Sequence, residues 1–516
     1  MDRPNFLIIC TDQMRADHMG CAGNPVVQTP NLDRLAATGV HVPRAYVNCP
    51  LCMPSRATLY TGLTPRGHQV RTNGIPLDRA LPTMPGALAQ AGYRTASIGK
   101  IHLTNYHVND DAKSAVNFTP EAFPEVVEFW QQGKIKNIPT PYYGLQHVDV
   151  TLGHSTTTHG NYALWLQQEH PQQWARLQRE KPERSALGAE HCGRAVLDEP
   201  YHHSTYVADR TIDYLNKQSG AEPFFLISSF PDPHHPYWTP RPWDKMYSPD
   251  DVVPPVAREG ELETLAPFFR EIYEKHLLLS GRRNPTKMSD AQRREIIAYT
   301  YGMVSLADKH IGRILDTLNA SGLEKNTVVL FMSDHGDMMG DHGLLNKGPF
   351  HFEGLLRVPM IWSCPGRFPA RKTPALASIL DIAPTILDLA GVKIPEGPAS
   401  AEAPMQPPAW PGRSLAPLLT GKSNAVQESV VVENDEDYLG LRLRTLVTPT
   451  HKLTTYTAPR GAAEFGELFD LSQDPHELQN LWHSAAHANL KHELIERLHY
   501  RLVETDIAIP RRLSHA

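Results

Sequence analysis

Short apolar runs of strand length recur along the chain, and each is closed by polar or ionisable residues. Phe6 to Cys10 ends in Thr11, Asp12 and Gln13, and a short predicted strand of mixed character, Arg94 to Ile98, runs into Gly99-Lys100-Ile101-His102. Residues 224–229 are followed by Pro231-Asp-Pro-His234-His235-Pro236, and residues 327–332 end in Ser333-Asp334-His335-Gly336. Unbroken apolar runs of this length predict buried strands. Between them the period changes to that of a helix. Thr29-Pro30 is a start signal before Leu32, Leu35 and Ala36, with Gly39 as the stop. Another helix is expected around residues 86–91. Ser289 and Gln292 form a capping box that opens a long helix with Ile296, Met303, Ala307, Ile311, Ile314 and Leu318 on one stripe. Near the end, residues 429–433, 441–448 and 452–457 predict a small sheet. Leu490, Leu494, Leu498 and Leu502 mark a final helix.

Two stretches break the pattern. Residues 105–205 show no clean periodicity and carry many Pro, His and Tyr residues, which predicts an elaborated loop region or lid. Residues 395–412 are rich in Pro and Ala and read as a linker. The chain therefore divides into a large α/β domain over 1–394, a linker over 395–424 and a smaller α+β domain over 425–516, in keeping with 516 residues.

Asp12, Lys100, His102, His234, Asp334 and His335 each follow the carboxyl end of an apolar run. In open α/β sheets that edge forms the ligand crevice. A net charge of −6 carries no basic excess, so nucleic acid is not expected as a partner. No segment approaches the roughly 18 apolar residues of a membrane span, and the first apolar run is too short for a signal peptide. A cytoplasmic protein is the expectation.

Six cysteines in so long a chain make no disulfide framework. Cys49 and Cys52 form a CxxC, which could be redox-active or half a zinc site, but no second CxxC exists. Cys52 has another property. Pro54 suits a helix entry, Ser55 to Thr61 are compatible with a helix, and Gly62 can close it. Cys52 would then lie at a positive helix end beside Arg56, where a negatively charged reacting group is favoured.

Asp12, Gln13, Asp334 and His335 supply carboxylate, amide and imidazole ligands. The oxygens favour a hard cation such as Ca2+, Mg2+ or Mn2+, and the imidazole favours Mn2+ or another transition metal. Arg56, Lys100 and Lys347 could meet an oxyanion, and His102 and His234 could move protons near neutral pH. Together these groups describe hydrolysis of a sulfate or phosphate ester.

Cys52-Met-Pro54-Ser55-Arg56 resembles the CxPSR motif of type I sulfatases, in the alkaline phosphatase superfamily. The resemblance continues through Gly99-Lys100-Ile101-His102, Pro233-His234-His235-Pro236, Ser333-Asp334-His335-Gly336, Lys347 and the C-terminal Asp474-Pro475 segment. It implies an alkaline-phosphatase-like α/β/α sandwich followed by an α+β domain. It also implies that a separate formylglycine-generating enzyme oxidises Cys52 to formylglycine, which hydrates to a geminal diol. One diol hydroxyl would attack sulfur in line, assisted by one divalent metal (Ca2+ or Mn2+) held by Asp12, Gln13, Cys52, Asp334 and His335. Arg56 and Lys100 would hold the diol and the sulfate oxygens. His234, with Lys347, would assist the departing alcohol, and His102 would take the second hydroxyl's proton so that sulfate leaves.

The substrate implied is a small sulfate ester, with secondary activity on related esters, and the protein is expected to be a homo-oligomer, a dimer or tetramer. Many sulfatases carry Asp-Asp and Asp-Asn where this chain has Asp12-Gln13 and Asp334-His335. That combination resembles phosphonate monoester hydrolases and choline sulfatases, so phosphonate monoester or phosphodiester hydrolysis is the alternative. Retention of Lys100 and His102 favours sulfate. Tyr106, His107, Tyr201 and His202 are candidates for recognising the alcohol.

Overall fold

The computed structural model describes residues 3–218, 220, 222–269, 288–395, 410–436, 440–457 and 465–506. Its centre is a parallel sheet of five strands, three of them the apolar runs at Phe6, Phe224 and Thr327. In chain order these strands are β1 (Asn5–Thr11), β2 (Arg94–Gly99), β3 (His147–Leu152), β4 (Phe224–Ser229) and β5 (Thr327–Ser333). They lie in the order β5-β1-β4-β2-β3, with β1 in register with both β4 and β5 over most of its length. β6 (Met360–Ser363) adds antiparallel to β5, and short edge strands extend the sheet on both sides.

Why the strands read as unbroken apolar runs is visible in the packing. Phe6, Ile8 and Cys10 enter one core while Leu7 and Ile9 enter another, on opposite faces of the sheet. Val328, Leu330 and Met332 divide from Val329 and Phe331 in the same way. Burying a side chain of this kind is worth roughly 1.5–3 kcal/mol, so both faces select for apolar residues.

One face is covered by α1 (Pro30–Thr38), α3 (His203–Asn216) and α4 (Asp290–Ala320). The other carries α2 (Cys52–Thr61) and α5 (Ile382–Ala390). The Ser289–Gln292 capping box forms, and all six residues of the α4 stripe are buried. The result is an α/β/α sandwich.

The C-terminal part is an antiparallel meander of β7 (Val430–Glu436), β8 (Leu441–Val447), β9 (His451–Thr457) and β10 (Gly466–Asp470), covered by α6 (Ala488–Glu504). Val431, Leu446, Leu453 and Leu468 pack against Leu494 and Leu498 of α6, while Val430, Val432 and Val447 face the large core. Most of the Pro- and Ala-rich linker, 396–409, lies outside the described residues. No helix among the described residues is long and apolar enough to cross a membrane.

The structure corrects two expectations. Residues 105–205 are not simply loop: they contain β3, two nine-residue helices (Asn161–Glu169 and Pro171–Arg179) and the start of α3. Helix α2 begins at Cys52 and not at Ser55. Pro54 still falls in the first turn, where no intrahelical donor is required.

Gly99 closes β2 with φ of +100°, and a Cβ there would lie 1.9 Å from the Ser229 carbonyl oxygen. The same carbonyl accepts the Lys100 N–H at 2.9 Å. Gly99→Ala is therefore expected to lower stability by about 1–3 kcal/mol from backbone strain alone, with crowding adding to it. Urea unfolding midpoints check this, and an unchanged midpoint would contradict it.

Candidate active site

The carboxyl edge of the sheet brings together the residues that follow β1, β2, β4 and β5, and α2 projects into the same place. Asp12 and Gln13 leave β1 with Gln13 in the left-handed region at φ +66°. That bend is fixed from both sides: the Asp12 N–H donates to the Asp232 carbonyl at 3.1 Å, and the Gln13 N–H donates to Asp334 Oδ1 at 3.1 Å. Asp334 in turn accepts from Arg56 Nε at 2.7 Å, and Ser55 Oγ donates to its carbonyl at 2.5 Å. The first turn of α2 is thus tied directly to the end of β5.

Cys52 is the first residue of α2 and is 2% exposed. Its Sγ lies 3.2 Å from His335 Nε2 and 2.9 Å from Lys347 Nζ. One ligand atom each from Asp12, Cys52, Asp334 and His335 falls within 4.8 Å of all the others. His335 Nδ1 is bonded to the Gly336 carbonyl at 2.8 Å, so that nitrogen carries the hydrogen and Nε2 presents its lone pair to the cluster. Gln13 is oriented likewise. Its Nε2 donates to Asp337 and contacts His235 Nδ1 at 3.0 Å, so Oε1 faces Lys347 Nζ at 3.2 Å. Asp337 is itself held by the Tyr237 hydroxyl at 3.0 Å.

Lys100 is 1% exposed, and its ammonium donates to Asp12 Oδ2 and lies 2.7 Å from His154 Nε2. Arg56 spends Nη1 on the Lys100 carbonyl at 2.9 Å and on Ser229 Oγ at 3.0 Å. Its Nη2 is buried without a partner, 4.0 Å from Asp12 Oδ2. His234 Nε2 lies 2.9 Å from Lys347 Nζ, and its ring stacks on His154 at 3.6 Å. His102 stands at φ +59°, stacked on Tyr106 at 4.0 Å, with its Nδ1 buried and unpartnered.

The electrostatics follow from this crowding. Burial would raise the Cys52 thiol, but Lys100 and Lys347 overturn that and bring it down to about 7. Burial also opposes ionisation of Asp12, yet Lys100 and then His234 hold its carboxyl well below the usual range. His102 and His234 are pushed well below the ordinary imidazole value, first by burial and then by neighbouring positive groups. Both are neutral at pH 7. Cys49 takes no part; its thiol is buried and raised by that burial.

Every sequence-predicted site residue therefore lies at or beside this edge. Of the four candidates for alcohol recognition, only Tyr106 is against a site histidine. His107 is exposed, the Tyr201 carbonyl accepts from Tyr162, and His202 is buried beside Asp232 at the start of α3. Sequence reasoning missed His154, Asp337 and Glu125. His154 follows β3 as Lys100 follows β2, so the same positional rule would have found it had the alternating His147-Val-Asp-Val-Thr-Leu152 been read as a strand.

A family model described as Sulfatase matches residues 4–392, and one described as N-sulphoglucosamine sulphohydrolase, C-terminal, matches residues 340–504. An arylsulfatase of Clostridium perfringens is 29% identical over 501 residues, covering 93% of this chain and 91% of that protein. A choline-sulfatase of Rhizobium meliloti is 28% identical over 484 residues, covering 93% and 82%. In fold, the chain is similar to the phosphonate monoester hydrolase of Agrobacterium radiobacter, with a TM-score of 0.77 at 24% identity over 98% of this chain and 96% of that one.

In metal-free protein that retains the Cys52 thiol, the thiolate absorbance lost in Cys52→Ala is expected to titrate near pH 7. The thiolate fraction should rise as pH rises through that value. Lys347→Ala removes an ammonium 2.9 Å from the sulfur and should move the midpoint upward. A midpoint unmoved by this change would contradict the assigned electrostatics.

Proposed function

The chain belongs to the sulfatase family and is a sulfuric ester hydrolase; we propose that its nucleophile is a formylglycine made from Cys52 and that one divalent cation completes the site. The observation that carries this reading is the position of Cys52 Sγ. It sits at the head of a buried helix, among Lys347, His335 and Asp12, where a nucleophile and a cation site coincide.

The donor set fits a divalent cation. Gln13 Oε1, Cys52 Sγ and His335 Nε2 all converge on the single positive charge of the Lys347 ammonium, at 3.2, 2.9 and 3.2 Å. Asp12, Gln13, Asp334 and His335 would hold the ion, with the Cys52-derived side chain beside it. The imidazole favours Mn2+ over Ca2+. When bound, the ion supplies Lewis-acid polarisation of the sulfate oxygens.

The chain's own residues account for the proton movements. A hydroxyl of the hydrated formylglycine attacks sulfur, and the alcohol oxygen departs on the far side. His234 Nδ1 donates to the His235 carbonyl, so its Nε2 accepts from Lys347. The Lys347–His234 pair thus shares one proton, available to the departing alkoxide. His102, neutral and with its Nδ1 unpartnered, takes the proton of the remaining hydroxyl on its unprotonated ring nitrogen. The aldehyde re-forms as the carbon–oxygen bond to sulfate breaks. A serine or cysteine in the same place has no second hydroxyl with which to do this.

The peptide containing Cys52 from active enzyme is expected to be about 18 Da lighter than its cysteine form, a covalent change readable by mass spectrometry. Full activity with an unmodified thiol would sink the nucleophile assignment. Removing divalent metal with a chelator should abolish turnover, with Mn2+ restoring it better than Ca2+. An aryl sulfate should be cleaved faster than a phenyl phosphonate monoester. Phosphonate cleavage faster by orders of magnitude would favour the alternative substrate class.

A further inference from the structure

We infer that Glu125 is a positioning residue for the sulfate-expelling step, acting through the backbone of His102. Glu125 is fully buried on the turn before the short helix Val127–Gln131. Its carboxylate accepts three successive backbone N–H groups: His102 at 2.7 Å on Oε2, and Leu103 and Thr104, each at 3.0 Å, on Oε1. Oε1 also accepts the Tyr142 hydroxyl at 2.6 Å and the Thr104 hydroxyl at 3.3 Å. His102 needs such an anchor because it is a non-glycine residue held in the left-handed region. The Lys100 carbonyl, two residues before His102, is pinned by Arg56, and the Leu103 carbonyl accepts the Leu77 N–H at 2.9 Å. The ring of His102 is thereby pressed flat against Tyr106 with Nδ1 left open.

The two carboxylate oxygens divide the work. Oε1 serves the loop beyond the histidine, while the one donor on Oε2 is the His102 N–H. An isosteric glutamine keeps an oxygen for only one side. The side with more donors takes it, and the amide NH2 is left facing the His102 N–H, donor against donor. The change falls on one residue.

The inference rests on the reading that His102 removes the proton of the remaining hydroxyl. That electron pair re-forms the carbonyl as the bond to sulfate breaks and sulfate leaves with its own pair. A misplaced His102 slows this second half and leaves the attack on sulfur intact.

The test compares wild type, Glu125→Gln, His102→Ala and the double variant on a chromogenic aryl sulfate. Glu125→Gln is expected to lower kcat by roughly 10–100-fold, the usual cost of losing such a support. Alcohol should still appear in a stoichiometric burst, and sulfated enzyme should accumulate in the intact mass. In the His102→Ala background the same change should cost almost nothing, because the residue it acts through is gone. Equal losses in both backgrounds, or a lower burst amplitude with normal turnover per active site, would overturn the inference in favour of a purely structural role. Glu125→Asp, which keeps the charge but draws the carboxylate back from the His102 N–H, is expected to give the same signature and decides the matter if Glu125→Gln does not fold. A missing burst in His102→Ala would instead locate the failure in the assignment of His102.

Discussion

The structure depends on a buried quartet of charges at the sheet edge: Asp12 and Asp334 against Arg56 and Lys100. All four are at most 3% exposed. None could be ionised there alone, since burying an unpaired charge costs several kcal/mol. Each therefore fixes the others, and through them the chain. Arg56 ties α2 to β5 and to the turn after β2, Lys100 ties β2 to β1, and Asp334 accepts the Gln13 N–H. Four segments distant in sequence are held in one arrangement by electrostatics that fail if any member is displaced. Such a quartet contributes little net stability against an apolar replacement, and its value lies in position.

Around it, orientation is set by groups that touch no reacting atom. Asp337 decides which end of the Gln13 amide faces inward, the Gly336 carbonyl decides which nitrogen of His335 does, and Glu125 decides where His102 stands. These partners come from loops, whereas the residues they aim come from strand ends.

That division explains what was legible in the sequence. Strands β1, β4 and β5 are apolar on both faces, so their limits and the polar residues after them could be read directly. The capping box at Ser289 was equally plain because its two residues lie three apart. β3 was missed because its outer-sheet position gives it polar side chains on alternate residues, within a region full of Pro and His. His154 went with it. Glu125 carried no signal, because three N–H groups from 102–104 meet its carboxylate only after the chain has folded back on itself. The sequence pattern starts α2 at Ser55, three residues late, because it assigns Pro54 to the entry turn, while the structure uses Pro54 as the third helical residue.

Helix α2 has one more consequence. All ten of its residues are buried, and at its far end Trp410 closes over Gly62, where even a methyl group would meet the indole at 2.3 Å. A second protein cannot grip a segment enclosed in this way, and the sulfur at its head lies beneath the surface. Any enzymatic alteration of that side chain belongs to the chain before α2 is enclosed. Time would then enter the chemistry: if Cys52 is altered by a second protein, a molecule that folds with its thiol untouched keeps it.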